Sequence, residues 1–250
     1  MVTVAAIAAL GLVVGSFLNV VVARLPHRRS LWGPRSACPA CGAAIAWHDN
    51  IPVLSFVALR GRCRACEAPI AWRYPLIEAL TAGTFALAHL VLGLSPALVP
   101  ALLLLAALIA ITFIDLEHEL IPDAITLPGV VTGLVANVAT GAVPWLDSVI
   151  GAIVAGGGFF AIIVASGGGM GGGDMKLGAM LGSFLGWQLT IVALFLAVVA
   201  GGGGALAVLS TGKKGRKDPI PFGPFLALGG AAALLWGRSL MAWYFDVFVS

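Results

Sequence analysis

Charged residues are scarce in this sequence, which argues against a water-soluble fold. Only 10% of the 250 residues are Asp, Glu, Lys or Arg, whereas a soluble domain carries about 25%. Apolar residues make up 60% of the chain, and the mean hydropathy is +1.04. Lipid must therefore be the solvent for most of the chain. Because the apolar runs are continuous rather than alternating, we predict an all-α polytopic membrane protein rather than a lipid-spanning barrel.

The start of the chain lacks the features of a removable signal peptide. Residues 1–23 are apolar, no basic segment precedes them, and no small-residue cleavage site is followed by a polar mature chain. We therefore predict that this segment is retained as the first span.

Basic residues are few and concentrated in two segments. Eight of the 14 Lys and Arg residues lie in 24–73, and four more lie in 213–217. The positive-inside bias places both segments in the cytoplasm. We interpret these charges as topology signals and lipid anchors, and we expect no nucleic-acid partner.

About eight transmembrane helices are predicted from runs of roughly 20 apolar residues. They are 3–23, 75–93, 97–114, 124–142, 147–166, 175–189, 190–209 and 221–241. A turn at Trp187 and Gln188 is needed to keep both basic segments on the cytoplasmic side. With this turn both chain termini lie outside, and the helix ends that hold Asp115 and Asp174 lie inside. The predicted domains are a first helix (1–23), a small cytoplasmic zinc-binding domain (24–73) and a seven-helix membrane domain (74–250).

Only four cysteines are present, and all of them fall in one short segment. Two C-x-x-C pairs about 20 residues apart have the spacing of a tetrahedral zinc site. The alternatives are structural disulfides, which a cytoplasmic location disfavours, and a redox-active pair, for which no thioredoxin-like strand pattern is present. We predict a structural zinc ion, because four sulfur ligands leave no open position; the ligands are Cys38, Cys41, Cys63 and Cys66.

Two aspartates stand at the predicted ends of spans, where ionisable groups are costly and are functional candidates by default. Asp115 ends one span within T-F-I-D-L-E-H-E-L-I-P-D, and Asp174 begins another within G-G-G-D-M-K-L. Glycines at 171 and 173 let an extended peptide approach the carboxylate closely. We predict a catalytic pair of Asp115 and Asp174, with Gly171, Gly173 and Lys176 in the active-site loop.

In a less specific interpretation these aspartates only mark helix ends, where they cap a helix or pair with Lys176. Two carboxylates within hydrogen-bond reach instead share one proton, so one accepts a proton from water while the other protonates a peptide carbonyl. Such a pair titrates as a unit, and we assign neither residue a fixed acid or base role.

Several ordered motifs resemble those of the type IV prepilin peptidase family. They are G-S-F-L-N-V-V-V-A-R-L-P, the two C-x-x-C pairs, D-N-I-P-V-L-S, R-Y-P-L-I-E, I-D-L-E-H-E-L-I-P-D, G-G-G-D-M-K-L and P-F-G-P-F-L. The resemblance runs essentially from end to end. It implies that Asp115 and Asp174, in preference to Asp123, are the family's two essential aspartates. It also implies that the cysteines form the cytoplasmic zinc domain of the larger, bifunctional members.

The same resemblance implies a two-step reaction at the cytoplasmic face of the bacterial inner membrane. An aspartic endopeptidase removes a short basic leader after glycine from prepilins or pseudopilins of type IV pilus and type II secretion systems. S-adenosylmethionine then methylates the new N-terminal residue, usually Phe. The acidic side chains near Asp115 would attract the basic leader, although a solvated polar turn explains them equally well; they are Glu117, Glu119 and Asp123.

Methyl transfer rests on the resemblance alone, since no glycine-rich nucleotide fingerprint follows a strand, and the cofactor-binding residues are unassigned. Glu78 is a single buried-acid candidate for contact with substrate or cofactor. Gly15, Ser16 and Asn19 share one face of the first span, which favours helix packing over cofactor binding.

Three other classes of protein account for part of the pattern. An ion-coupled transporter would use Glu78, Asp115 and Asp174 as a proton relay, but it predicts acids near mid-membrane and an inverted repeat. A zinc-ribbon assembly factor explains the cysteines and gives no reason for the paired aspartates. A peptidase without methyltransferase activity leaves the complete zinc domain unexplained.

Overall fold

The described part of the chain is helical. A computed structural model describes residues 1–33, 35–167, 171–210 and 221–248, where the only strand-like pairings are two isolated bridges. The basic segment 213–217 and residues 168–170 of the glycine run lie outside the described residues. The described helices are α1 (Val2–Arg24), α2 (Leu54–Ala58), α3 (Arg73–Leu92), α4 (Leu98–His118), α5 (Asp123–Thr140), α6 (Trp145–Ala165), α7 (Gly172–Ser210) and α8 (Gly223–Phe248).

The predicted fold class is confirmed. Among the described residues, seven helices are long and apolar enough to cross a membrane, namely all but the short α2. The protein is therefore a multi-pass helical membrane protein. The helices match the predicted spans to within a few residues, although α8 continues seven residues beyond its predicted end, to Phe248.

The longest helix, α7, contains the break that the sequence predicted. A straight helix of its 39 residues would be about 58 Å long, roughly twice the thickness of the hydrocarbon core. The backbone leaves the helical conformation at Gly186, where φ is 74° and ψ is 167°. This left-handed φ favours glycine. The break lies one residue before the predicted turn at Trp187 and Gln188.

Packing against α8 shows that the chain reverses its direction at this break. Gly229 of α8 lies against Ala193 and Ala197, while the next residue, Gly230, lies against Leu181. Residues 181 and 197 would be about 24 Å apart along a straight helix, yet they pack at the same level of α8. Two antiparallel segments therefore replace one long helix, which accounts for the eight segments that the sequence predicted.

The first compact unit, Met1–Gly93, is built on a close pair of helices. Helices α1 and α3 run antiparallel, and a β-carbon at Gly11 would lie 2.6 Å from Cα of Ala82. Small residues that let two backbones approach are typical of helix pairs in membranes. Because α3 packs on α1, the first unit includes α3 and extends 20 residues past the predicted boundary at 73. The predicted division into three domains stays a prediction.

The second compact unit, Leu94–Ser250, has its core where three helices meet. Leu108 of α4, Leu181 of α7 and Leu226 of α8 belong to one buried apolar cluster. This cluster holds the end of α4 close to the beginnings of α7 and α8. The carboxylates predicted to form the catalytic pair lie at these helix ends.

Candidate active site and metal centre

Asp115 lies near the C-terminal end of α4 and is almost fully enclosed, with 5% of its surface exposed. Helix α4 ends at His118, and the next residue, Glu119, adopts a left-handed φ of 51° and donates its N–H to the Asp115 carbonyl at 2.8 Å. The Asp115 side chain in turn accepts a hydrogen bond from the N–H of Gly223, with 3.0 Å between that nitrogen and Oδ2. One carboxylate oxygen is thereby fixed by the first residue of α8.

Gly223 is a site residue that the sequence did not predict. A β-carbon at this position would lie 2.5 Å from Oδ2 of Asp115, so any larger residue would displace the carboxylate. The one signal in the sequence is its place in P-F-G-P-F-L, a motif that points to the family but not to this contact. The contact joins residues 108 positions apart, and no local pattern predicts such a pairing.

Asp174 lies in the first turn of α7 and is half-buried. Its N–H donates to the carbonyl of Gly171 at 3.2 Å, so the glycine loop leads directly into the helix. A helix N-terminus favours a negative charge at this position. A β-carbon at Gly171 would lie 3.5 Å from Asp174 Oδ2, and thus Gly171 lies directly beside the carboxylate.

The neighbours of the two predicted catalytic aspartates pack on the same side chain, Ile121. A β-carbon at Gly173, next to Asp174, would lie 2.8 Å from Ile121 Cβ, and one at Gly223, which binds Asp115, would lie 3.3 Å from Ile121 Cδ1. Asp115 is thus close enough to Asp174 for the two carboxylates to interact electrostatically. Glu119 also adds negative charge beside Asp115.

Lys176 is near this pair but is engaged with another carboxylate. Its Nζ lies 2.6 Å from Oδ1 and 2.8 Å from Oδ2 of Asp123. Pairing of Lys176 with Asp174, the less specific interpretation of the sequence, is therefore not the arrangement found. The ion pair is partly exposed and holds the start of α5 to the second turn of α7. Asp123 therefore differs from Asp115: its charge is balanced by a lysine at a partly exposed position, whereas Asp115 is enclosed.

The four cysteines form one cluster. Their sulfur atoms all lie within 4.8 Å of one another, and none is in a disulfide. Each C-x-x-C pair forms the same tight turn: the N–H of Gly42 donates to the Cys38 carbonyl, and the N–H of Glu67 donates to the Cys63 carbonyl, both at 2.9 Å.

One sulfur pair of the cluster has the separation found in a tetrahedral zinc site. Zinc–sulfur bonds of 2.3 Å in a tetrahedron place the sulfurs about 3.8 Å apart, and the Cys38 and Cys66 sulfurs are 3.8 Å apart. Hydrogen bonds from the N–H groups of Cys41 and Ala40 lower the pKa of the Cys38 thiol to about 7. The Ala68 N–H lowers the pKa of Cys66, but burial and the neighbouring thiols raise it to about 12. A divalent metal that replaces these protons would satisfy all four sulfurs.

The fold and these sites define a class: a multi-pass helical membrane protein with two carboxylates at helix ends and a four-cysteine group. Residues 9–92 match the bacterial peptidase A24 N-terminal domain, and residues 102–206 match the type IV leader peptidase family. The chain belongs to the type IV leader peptidase family, and the predicted resemblance is confirmed.

Similar proteins cover nearly the whole chain. The prepilin leader peptidase/N-methyltransferase of Aeromonas salmonicida strain A449 is 40% identical over 93% of this chain and 90% of that protein. The protein of the same name from Burkholderia pseudomallei strain 1026b is 41% identical over 91% of this chain and 84% of that protein. The one from Legionella pneumophila is 36% identical over 93% of this chain and 91% of that protein. No solved structure gives a significant match.

Proposed function

We propose that this protein is a membrane aspartic endopeptidase that removes the basic leader of type IV prepilins or pseudopilins and then methylates the new N-terminus. The observation that supports the proposal is that Gly173, next to Asp174, and Gly223, which binds Asp115, pack on the same Ile121 side chain in a leader peptidase family member. The names of similar proteins supply both activities. S-adenosylmethionine is the proposed methyl donor, and membrane lipid is the proposed surroundings of the apolar helices.

In the proposed reaction the two carboxylates act as one acid–base unit. One carboxylate accepts a proton from a water molecule as the water attacks the scissile carbonyl, and the other donates a proton to the carbonyl oxygen. The intermediate then collapses and its C–N bond breaks, while the proton taken from water passes to the leaving amine and a hydroxyl proton returns to the second carboxylate. The Gly223 N–H holds Asp115 in one orientation, which reduces the cost of aligning it with Asp174. We leave the acid and base roles unassigned, because such a pair titrates as a unit.

Substrate selection is proposed to use the glycine loop and the acidic end of α4. Residues 171 and 172 are exposed and carry no side chain, so a peptide backbone can approach Asp174 closely. Glu117 and Glu119 are also exposed and would attract a Lys- and Arg-rich leader. Because Lys176 already pairs with Asp123, we assign this attraction to the two glutamates. The proposed location is the inner membrane, with this end facing the cytoplasm.

The four cysteines are proposed to hold a structural zinc ion. Zinc would cross-link the two C-x-x-C turns and stabilise the segment between α1 and α3. No ligand position is left for substrate, so we assign the metal no part in peptide cleavage.

A transporter is the weaker alternative. It requires carboxylates near the middle of the membrane, whereas Asp115 lies three residues from the end of α4 and Asp174 is the third residue of α7. These positions suit a peptidase that acts on a chain at the membrane edge.

The proposal is tested by incubating the detergent-solubilised protein with a full-length prepilin. Mass spectrometry should show loss of the leader without added cofactor, and gain of one methyl group on the product only when S-adenosylmethionine is present. Leader loss without methylation would limit the function to peptide cleavage. An intact prepilin, under conditions in which an active relative cleaves it, would refute the peptidase assignment.

Gly223→Ala is expected to lower the rate of leader cleavage by about 100-fold. The added methyl group displaces the Asp115 carboxylate, and a misplacement of about 1 Å costs a rate factor of this order. Gly157→Ala is the matched control, because a β-carbon there meets no atom within 4 Å; its rate should equal that of the wild type. Wild-type cleavage by the folded Gly223→Ala variant would show that this contact does not position the pair.

A further inference from the structure

A buried polar strip lies between α1 and α3 in the first unit, and the cleavage reaction does not use it. We define this strip as Ser16 and Asn19 of α1 together with Glu78 of α3. A β-carbon at Gly15 would lie 2.7 Å from Cα of Glu78, so the two helix backbones nearly touch at this level. Asn19 and Glu78 are only 4% and 8% exposed. Burying a carboxylate and an amide between two apolar helices costs free energy, and polar groups at such positions are functional candidates by default.

Glu78 is held by neutral groups. Its Oε2 accepts the N–H of Val53 at 2.7 Å, and the Ser16 side chain lies close enough to interact with the carboxylate. Neither contact balances a negative charge. A neutral glutamine could also accept the Val53 N–H through its amide oxygen, so this hydrogen bond by itself does not require a charged side chain. The use of a carboxylate points to a positively charged partner.

The segment that covers Glu78 is strained where it touches the carboxylate. Val53 has a φ of 59° and a ψ of −47°, and a β-branched side chain strongly disfavours positive φ. Such backbone strain persists where the surroundings enforce it, and it concentrates at ligand sites. The Glu78 bond is one of the contacts that hold Val53 in this conformation.

Asn19 presents an acceptor that lacks a partner. Its Nδ2 donates to the carbonyls of Tyr74 at 3.1 Å and Gly15 at 3.3 Å. These two carbonyls fix the orientation of the amide, and Oδ1 is left buried without a hydrogen-bond donor among the described residues. A buried acceptor without a donor is uncommon and destabilising. A ligand that brings N–H groups would satisfy it.

We propose that the polar strip binds a protonated primary amine. Glu78 supplies the opposite charge, while Asn19 Oδ1 and the Ser16 hydroxyl accept N–H hydrogen bonds. This inference rests on the proposed methyl transfer, which involves two such amines. One is the α-amino group of the methyl donor's methionyl part, and the other is the new N-terminal amine of the cleaved pilin. The strip lies in the first unit, whereas the aspartate pair lies in the second.

Binding to the full-length protein in detergent, measured with two probe pairs, tests the proposal and separates the two sources. One pair is S-adenosylhomocysteine and its analogue without the amino group. The other is a short apolar peptide that begins with Phe, with a free or an acetylated N-terminus. The wild type should bind the amine-bearing member of one pair at least about tenfold more tightly, as expected for a charge-assisted hydrogen bond. The pair that shows this preference identifies the source.

Glu78→Gln should abolish the preference, because Gln keeps an acceptor for Val53 but removes the charge. Ser16→Ala should weaken the preference severalfold. It serves as the second variant if Glu78→Gln proves less stable to heat than the wild type. Thr81→Val is the matched control: the Thr81 hydroxyl lies one turn along α3 and bonds its own helix at Ile77, so this variant should keep the full preference.

No amine preference in either pair, or an undiminished preference in a folded Glu78→Gln variant, would overturn this inference. Failure of the proposed function gives a different result, since the wild-type protein would then neither cleave nor methylate a prepilin. Binding and activity are measured separately, so the two failures are distinguishable.

Discussion

Asp115→Asn and Asp174→Asn are each expected to reduce leader cleavage by about 1,000-fold or more. Asparagine has nearly the shape of aspartate but neither accepts nor donates the transferred proton, and a positioned acid or base contributes a factor of this order. Because the two carboxylates are proposed to act as a unit, either substitution should remove most of the activity. Initial rates of leader loss with a prepilin in detergent measure the effect.

Asp123→Asn is the matched control for this pair. Asp123 lies on the same stretch of chain and is paired with Lys176 in a partly exposed contact, and such pairs contribute little to stability. The variant should cleave within a few-fold of the wild type. Near-wild-type cleavage by folded Asp115→Asn or Asp174→Asn would refute the pair, and loss of cleavage in Asp123→Asn alone would move the assignment to Asp123.

The second large effect is expected at the cysteine cluster. Cys41→Ser or Cys63→Ser should lower the zinc content from about one ion per chain to nearly none, because a hydroxyl does not replace a thiolate in a four-sulfur site. The segment between α1 and α3 should then become sensitive to protease, since the binding energy of a structural metal is also folding energy. Metal analysis and limited proteolysis of the purified protein check both results.

Arg64→Ala is the control for these variants. Arg64 lies between the last two cysteines, but its guanidinium bonds Asp49 at 2.6 Å and 2.8 Å, so its loss leaves the four sulfurs in place. It should retain the metal. A wild-type protein that carries no metal when purified under reducing conditions with zinc present would contradict the structural zinc site.

The sequence predicted what local spacing and chemistry determine. The two C-x-x-C pairs predicted the cysteine cluster, and the contrast between apolar runs and isolated carboxylates predicted the helices and the aspartates at their ends. The requirement that both basic segments face one side predicted a reversal within 175–209. The structure places that reversal at Gly186, because glycine adopts the left-handed φ that the neighbouring Trp187 would resist.

Other features depend on segments that meet only in the folded chain. The Gly223 N–H reaches Asp115 across 108 residues, and Lys176 reaches Asp123 across 53, which no spacing rule predicts. Gly15, Ser16 and Asn19 were interpreted mainly as a packing face. Gly15 does pack, but the unpartnered Asn19 Oδ1 and the strained Val53 are visible only when α3 and the 47–59 segment are in place.

The central claim is that Asp115 and Asp174 act together on one scissile bond. The most direct test is the binding of a prepilin peptide in which a secondary alcohol replaces the scissile amide, because such a mimic of the tetrahedral intermediate should contact both carboxylates. We expect the wild type to bind this mimic at least about 100-fold more tightly than the uncleaved sequence. Asp115→Asn and Asp174→Asn should each lose that advantage. A variant that lacks either carboxylate yet keeps the full advantage would contradict the account.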